Sequence, residues 1–135
     1  MFRFPTVYVL LAWVLYRARI GDKLARILVI EDDEGCRELY RDILELEGHT
    51  VSEALDGVDG LKLAYSSNVD LVLTDLIMPN ADGIEVIIKL AEKQPSLPII
   101  VISGDDVGGA DMYLNAAINL GVKIILKKNL LYQLI

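Results

Sequence analysis

The chain is poor in the residues that many catalytic and structural chemistries require. Its 135 residues include one cysteine, Cys36, and one histidine, His49. A single cysteine forms no internal disulfide, and the pair cannot supply a zinc framework. A His–Cys nucleophilic pair would have to be these two residues, and nothing in the sequence around either supports it. The lone thiol fits a reducing compartment, so a cytoplasmic location is expected. Positive charge is also scarce, with 13 Lys+Arg against 20 Asp+Glu and a formal net charge of −7. That argues against the basic face with which proteins meet nucleic-acid phosphates, and no nucleic-acid partner is expected. No GxxxxGK[ST] phosphate cradle is present.

Long hydrophobic runs are missing as well. The most apolar stretch, Phe4–Tyr16, reads FPTVYVLLAWVLY and is flanked by Arg3, Arg17 and Arg19. It falls short of the roughly 20 residues of a spanning helix. Its length suits a signal-peptide core, but no small-residue cleavage site follows. Three readings stay open at this level: a buried helix of the fold, a membrane-associating anchor, or an extension without a part in the domain. Membrane contact by residues 4–16 is not the favoured reading.

What the chain does have is regular alternation from Arg26 onwards. RILVI (Arg26–Ile30), TVSEA (Thr50–Ala54), DLVLTD (Asp70–Asp75), LPIIVIS (Leu97–Ser103) and VKIIL (Val122–Leu126) read as short strands. Between them, Glu34–Glu47, Val58–Ser66, Ile84–Glu92 and Ala110–Leu120 carry apolar residues at mostly helical spacing. In the first helix these are Cys36, Leu39, Tyr40, Ile43, Leu44 and Leu46, and Gly48 closes it. Leu55-Asp56-Gly57 reads as a turn, and Met78–Gly83 and Gly104–Gly109 read as loops. Alternating strands and helices imply crossovers and a parallel sheet. Five strands predict an α/β, doubly wound, flavodoxin-like arrangement of order 2-1-3-4-5. Its ligand site lies outside the carboxyl ends of the strands.

Those ends collect a particular set of groups. Strand one ends at Glu31, Asp32 and Asp33; strand three at Asp75; strand four at Ser103; strand five at Lys127 and Lys128. Clustered carboxylates repel one another and call for a cation. Oxygen-only ligation selects a hard ion, and Mg²⁺ is usual beside phosphate. An aspartate can act as a nucleophile toward phosphorus, forming an aspartyl phosphate. Each piece alone has a plainer explanation. Acidic clusters are commonly solvated loops, Asp75 could cap a turn, and the lysines could be solvated charges. Their meeting on one sheet edge is what favours the functional reading.

ILVIEDDE (Ile27–Glu34), DLVLTDLIMPNADG (Asp70–Gly83), PIIVISG (Pro98–Gly104) and GVKIILKK (Gly121–Lys128) together resemble the response-regulator receiver domain, the CheY-like family of two-component signalling. The resemblance covers roughly residues 25–130. It implies that Asp75 is the phosphoacceptor, that Glu31 and Asp32 organise Mg²⁺ with Asp33 as the fallback, and that the Ile77 carbonyl completes the metal ligation. It further implies that Ser103 is the switch hydroxyl and that Lys128, or Lys127, pairs with the phosphoryl group. The expected partners are a histidine kinase or phosphotransfer protein and a downstream protein target. No output domain follows in this sequence, so output is expected through protein contacts or phosphate relay. Catalysis would be limited to the domain's own phosphoryl acceptance and hydrolysis.

Three departures from the family pattern stand out. Asn129 replaces the usual proline after the lysine. Ile125 occupies the position of the aromatic switch residue. Only NLLYQLI remains for the last helix, which is expected to be truncated or missing. Residues 1–24 are therefore read as an apolar helical extension, and 25–135 as the receiver domain. A helix within Thr6–Ala18 could take the place of the missing one. Ile77 cannot orient a hydrolytic water and Asp105 would repel an attacking anion, so a long-lived phosphoryl state is expected. Two rival functions compete with this reading: a receiver-like interaction module that no longer switches by phosphorylation, and a phosphatase with an aspartate nucleophile. The second is disfavoured because Asp75 is followed by LIMP rather than by a second aspartate two residues on.

Overall fold

The computed structural model describes residues 23–76, 83–103, 115, 118–122 and 124–127. The expected N-terminal helix, Ile77, Asp105, Lys128, Asn129 and residues 130–135 lie outside the described residues. Strands β1 (Arg26–Ile30), β2 (Thr50–Ala54), β3 (Leu71–Asp75), β4 (Ile99–Ser103) and β5 (Ile124–Lys127) form one sheet. The order is β2-β1-β3-β4-β5 and every pairing is parallel. This is the order expected from the sequence.

The strands alternate cleanly between two cores. Ile27 and Val29, Leu71 and Leu73, and Ile100 and Ile102 face one apolar cluster. Leu28 and Ile30, Val72, and Ile99 and Val101 face the other. Apolar residues on both sides of a strand are the mark of a parallel sheet covered on both faces. Helix α1 (Glu34–Leu46) covers the first face with Cys36, Tyr40, Ile43 and Leu44. Their spacing of four, three and one residues lays them on a single stripe. Leu46, expected to join that stripe, is 71% exposed; it is the last helical residue and falls at the stripe's edge. Helices α2 (Gly57–Ser66) and α3 (Gly83–Lys93) cover the second face, with Leu61, Ala64, Val86, Ile87 and Leu90 inward.

Local chemistry sets the ends of the elements. Asp33 caps α1, its Oδ1 accepting the Cys36 N–H at 2.8 Å. Asp56 does the same for α2 through the Asp59 N–H at 2.9 Å, so Gly57, expected in a turn, is the first residue of that helix. Gly48, with φ of +93°, stops α1 while the N–H groups of Gly48 and His49 donate to the Glu45 and Leu44 carbonyls. β4 begins two residues later than expected. The Leu97 N–H is taken by the Gln94 carbonyl in a turn, and Pro98 has no N–H to give. β5 also begins two residues late, after Gly121 turns the chain at φ of +92°.

Candidate functional site

The carboxyl ends of β1 and β3 lie side by side, since Ile30 is in register with Thr74. Glu31 and Asp32 therefore leave the sheet next to Asp75. Each of the three offers a carboxylate oxygen, and these oxygens lie within 4.8 Å of one another. Glu31 is buried, Asp32 is exposed and Asp75 is 6% exposed. The cluster is thus a cup with a buried floor and an open rim. Two like charges at that separation repel by about 3 kcal/mol at an effective dielectric of 20. A cation held by all three would remove that cost, and an all-oxygen carboxylate set is the donor chemistry of a hard divalent ion. The residues present therefore fit such an ion.

The backbone around Asp75 is tied down. The Asp75 Oδ1 accepts the Leu76 N–H at 2.7 Å. The Thr74 hydroxyl donates to the Asp75 carbonyl at 2.9 Å, and Thr74 itself is buried. The Gly83 N–H donates to the Leu76 carbonyl at 2.7 Å, tying the start of α3 to the end of β3. A Cβ on Gly83 would come within 2.5 Å of the Leu76 Cα and closer still to the Asp75 carbonyl oxygen. Only glycine lets α3 start this close to the strand end.

Of the residues expected at the site, Glu31, Asp32 and Asp75 are brought together. Asp33, the fallback metal ligand, instead spends Oδ1 on the cap of α1. On β4, Ile102 is in register with Asp75, which puts Ser103 one residue beyond it on the same edge. Ser103 is in register with Lys127 of β5, so these two residues end neighbouring strands. Ile125 is in register with Val101. Ile77 and Lys128 lie outside the described residues. Sequence reasoning missed Thr74, Gly83 and Arg37. Arg37 donates from Nη1 to the Glu31 carbonyl at 2.9 Å. Its only signal was a basic residue one turn into the first helix, which is commonplace. For Gly83 the signal was stronger: a glycine directly before the apolar stripe of a helix.

The chain matches the family model described as "Response regulator receiver domain" over residues 27–134. It is 39% identical to the response regulator MprA of Mycobacterium ulcerans, over 66% of this chain and 42% of that protein. The chain thus spans about two fifths of the length of the curated relatives it matches. Among solved structures, it is 28% identical to a response regulator receiver domain protein from Clostridium thermocellum, with a TM-score of 0.71. That likeness covers 78% of this chain and 82% of the other. A CheY-like receiver domain protein from Methanospirillum hungatei is 25% identical with a TM-score of 0.71, over 82% of this chain and 90% of the other. A parallel sheet of order 2-1-3-4-5, an acidic cup at its carboxyl edge and a family match spanning most of the chain agree: the protein belongs to the response regulator receiver domain family of two-component signal transduction.

Proposed function

We propose that Asp75 accepts a phosphoryl group from the phosphohistidine of a histidine kinase or phosphotransfer protein. An Asp75 carboxylate oxygen forms the new O–P bond as the donor's P–N bond breaks, and the leaving imidazole takes up a proton. The observation that carries this reading is the acidic cup, in which a nearly buried aspartate at a strand end meets Glu31 and Asp32. Those three carboxylates, with the Ile77 carbonyl, are the proposed ligands for Mg²⁺, which would neutralise charge on the phosphoryl oxygens. Lys128 is assigned to pair with those oxygens, and Ser103 to hydrogen-bond them through its hydroxyl. The shift this produces in a two-state equilibrium is passed on through protein contacts, in the cytoplasm and without nucleic acid.

Residues 25–135 are assigned to the switch, and residues 1–24 to an apolar extension that packs on it. The second assignment rests on composition: Phe4–Tyr16 is apolar enough to lie against a sheet face.

Acetyl phosphate with Mg²⁺, followed by intact mass, tests the central claim. The expected result is a gain of one phosphoryl group that is lost in Asp75→Asn and with a chelator. An unmodified wild-type mass, or an undiminished gain in Asp75→Asn, overturns it.

A further inference from the structure

Glu31 and Asp32 are consecutive and share one peptide unit. Because a peptide is planar, whatever fixes the Glu31 carbonyl also fixes the Asp32 N–H and the line joining the two Cα atoms that carry the side chains. That carbonyl accepts from Arg37 Nη1 at 2.9 Å. The Arg37 side chain is 13% exposed, and its Nε faces the Glu53 carboxylate of β2 at 3.7 Å. Glu53 is held in turn by Arg41, at 3.5 Å. On the other side of the residue, the Glu31 N–H donates to the Ala54 carbonyl at 3.1 Å. Glu31 is therefore gripped at its N–H by β2 and at its C=O by α1. The Arg37 N–H donates to the Asp33 carbonyl at 2.9 Å, so the start of the same helix also closes the turn.

We propose that Arg37 is a positioning residue for the acidic cup: its guanidinium, anchored on Glu53, holds the Glu31–Asp32 peptide so that both carboxylates face Asp75. Arg37 touches neither phosphate nor metal in this role. The inference rests on the reading of the cup as a divalent-cation site and goes beyond it by naming what sets the cup's shape.

Two effects of removing Arg37 oppose each other, which makes the outcome informative. Loss of a nearby cation strengthens the binding of another cation by Coulomb's law. Loss of orientation weakens it, and partners that hold metal ligands in place are typically worth 10- to 100-fold in affinity. The proposal requires the second effect to win.

The test is calorimetric titration of the full chain with MgCl₂, paired with phosphorylation by acetyl phosphate. Arg37→Met keeps the apolar stem and removes both contacts. It is expected to weaken Mg²⁺ binding about tenfold, while the KM for acetyl phosphate at saturating Mg²⁺ stays unchanged. Glu53→Gln removes the ion pair but leaves the bond to the Glu31 carbonyl, and is expected to weaken binding less. A merely structural Arg37 would lower the melting temperature and leave Mg²⁺ affinity at the wild-type value. That result, or tighter binding in Arg37→Met, overturns the proposal. Should Arg37→Met not fold, Arg37→Lys serves, because one ammonium cannot span both partners; wild-type affinity there overturns it equally. Absence of Mg²⁺ binding by wild type would instead overturn the metal reading beneath it, so the two failures are told apart.

Discussion

Gly83→Ala is the smallest change that reaches Asp75 without altering any charged group. The added Cβ would sit within 2.5 Å of the Leu76 Cα and 2.7 Å of the Leu76 carbonyl oxygen, with the Asp75 carbonyl oxygen nearer still. Carbon contacts relax at about 3.5–4.0 Å, so the start of α3 and the end of β3 must part by about 1 Å. The neighbours are all backbone and cannot rotate aside. Overpacking of this kind costs about 1–3 kcal/mol. Against it, replacing glycine by alanine in a helix recovers roughly 0.5–1 kcal/mol, too little to change the sign. A net loss near 1 kcal/mol lowers the melting temperature by on the order of 4 °C in a domain of this size. The displaced carbonyl belongs to Asp75 itself, so phosphoryl acceptance should slow as well as stability fall. Thermal melting followed by circular dichroism, with acetyl-phosphate labelling at 20 °C below the midpoint, reads both effects. A variant that melts within 1 °C of wild type and labels at the wild-type rate would show that the close approach of α3 is not what holds the strand end, and the reasoning would fail.

Two further outcomes follow from particular contacts. Asp33→Ala removes the cap on α1 and should cost about 1 kcal/mol in urea denaturation, whereas Asp33→Asn keeps the cap and should leave Mg²⁺ affinity unchanged; a lost Mg²⁺ response in Asp33→Asn would put Asp33 into the ligand set. Deleting residues 1–22 should lower stability by several kcal/mol, given about 25 cal/mol per Å² of apolar surface uncovered, and should raise binding of a hydrophobic dye, while an unchanged melt refutes packing of the extension on the domain.

Much of the domain was legible in the sequence because parallel strands buried on both faces leave an unmistakable trace. RILVI and DLVLTD are apolar runs that end in acids, and the structure ends β1 and β3 at those same places. The strand order was legible through the flavodoxin-like reading of the strand–helix alternation, and the acidic cup through the ends of those runs. The boundaries were less so. Leu97 and Val122 have strand-like side chains, but turns claim the backbone near them: the Leu97 N–H goes to Gln94, and Gly121 turns the chain before Val122. Side-chain pattern reports which face a residue prefers, whereas strand ends are decided by where backbone hydrogen bonds go.

By itself, the sequence determined which residue types arrive at the sheet's carboxyl edge, because that follows from the period of the strands and the places where they stop. Only the tertiary structure decided how those residues divide their tasks. Within the Glu31-Asp32-Asp33 triplet, three adjacent acids look interchangeable in the sequence. Packing of α1 turns Asp33 onto its own helix as a cap and leaves Glu31 and Asp32 facing Asp75. Arg37 and Gly83 gain their importance in the same way, one by a hydrogen bond to the Glu31 carbonyl and the other by having no Cβ where α3 meets β3. Such roles depend on distances between segments remote in the chain or turned back on it, and hydrophobic period carries no information about those distances.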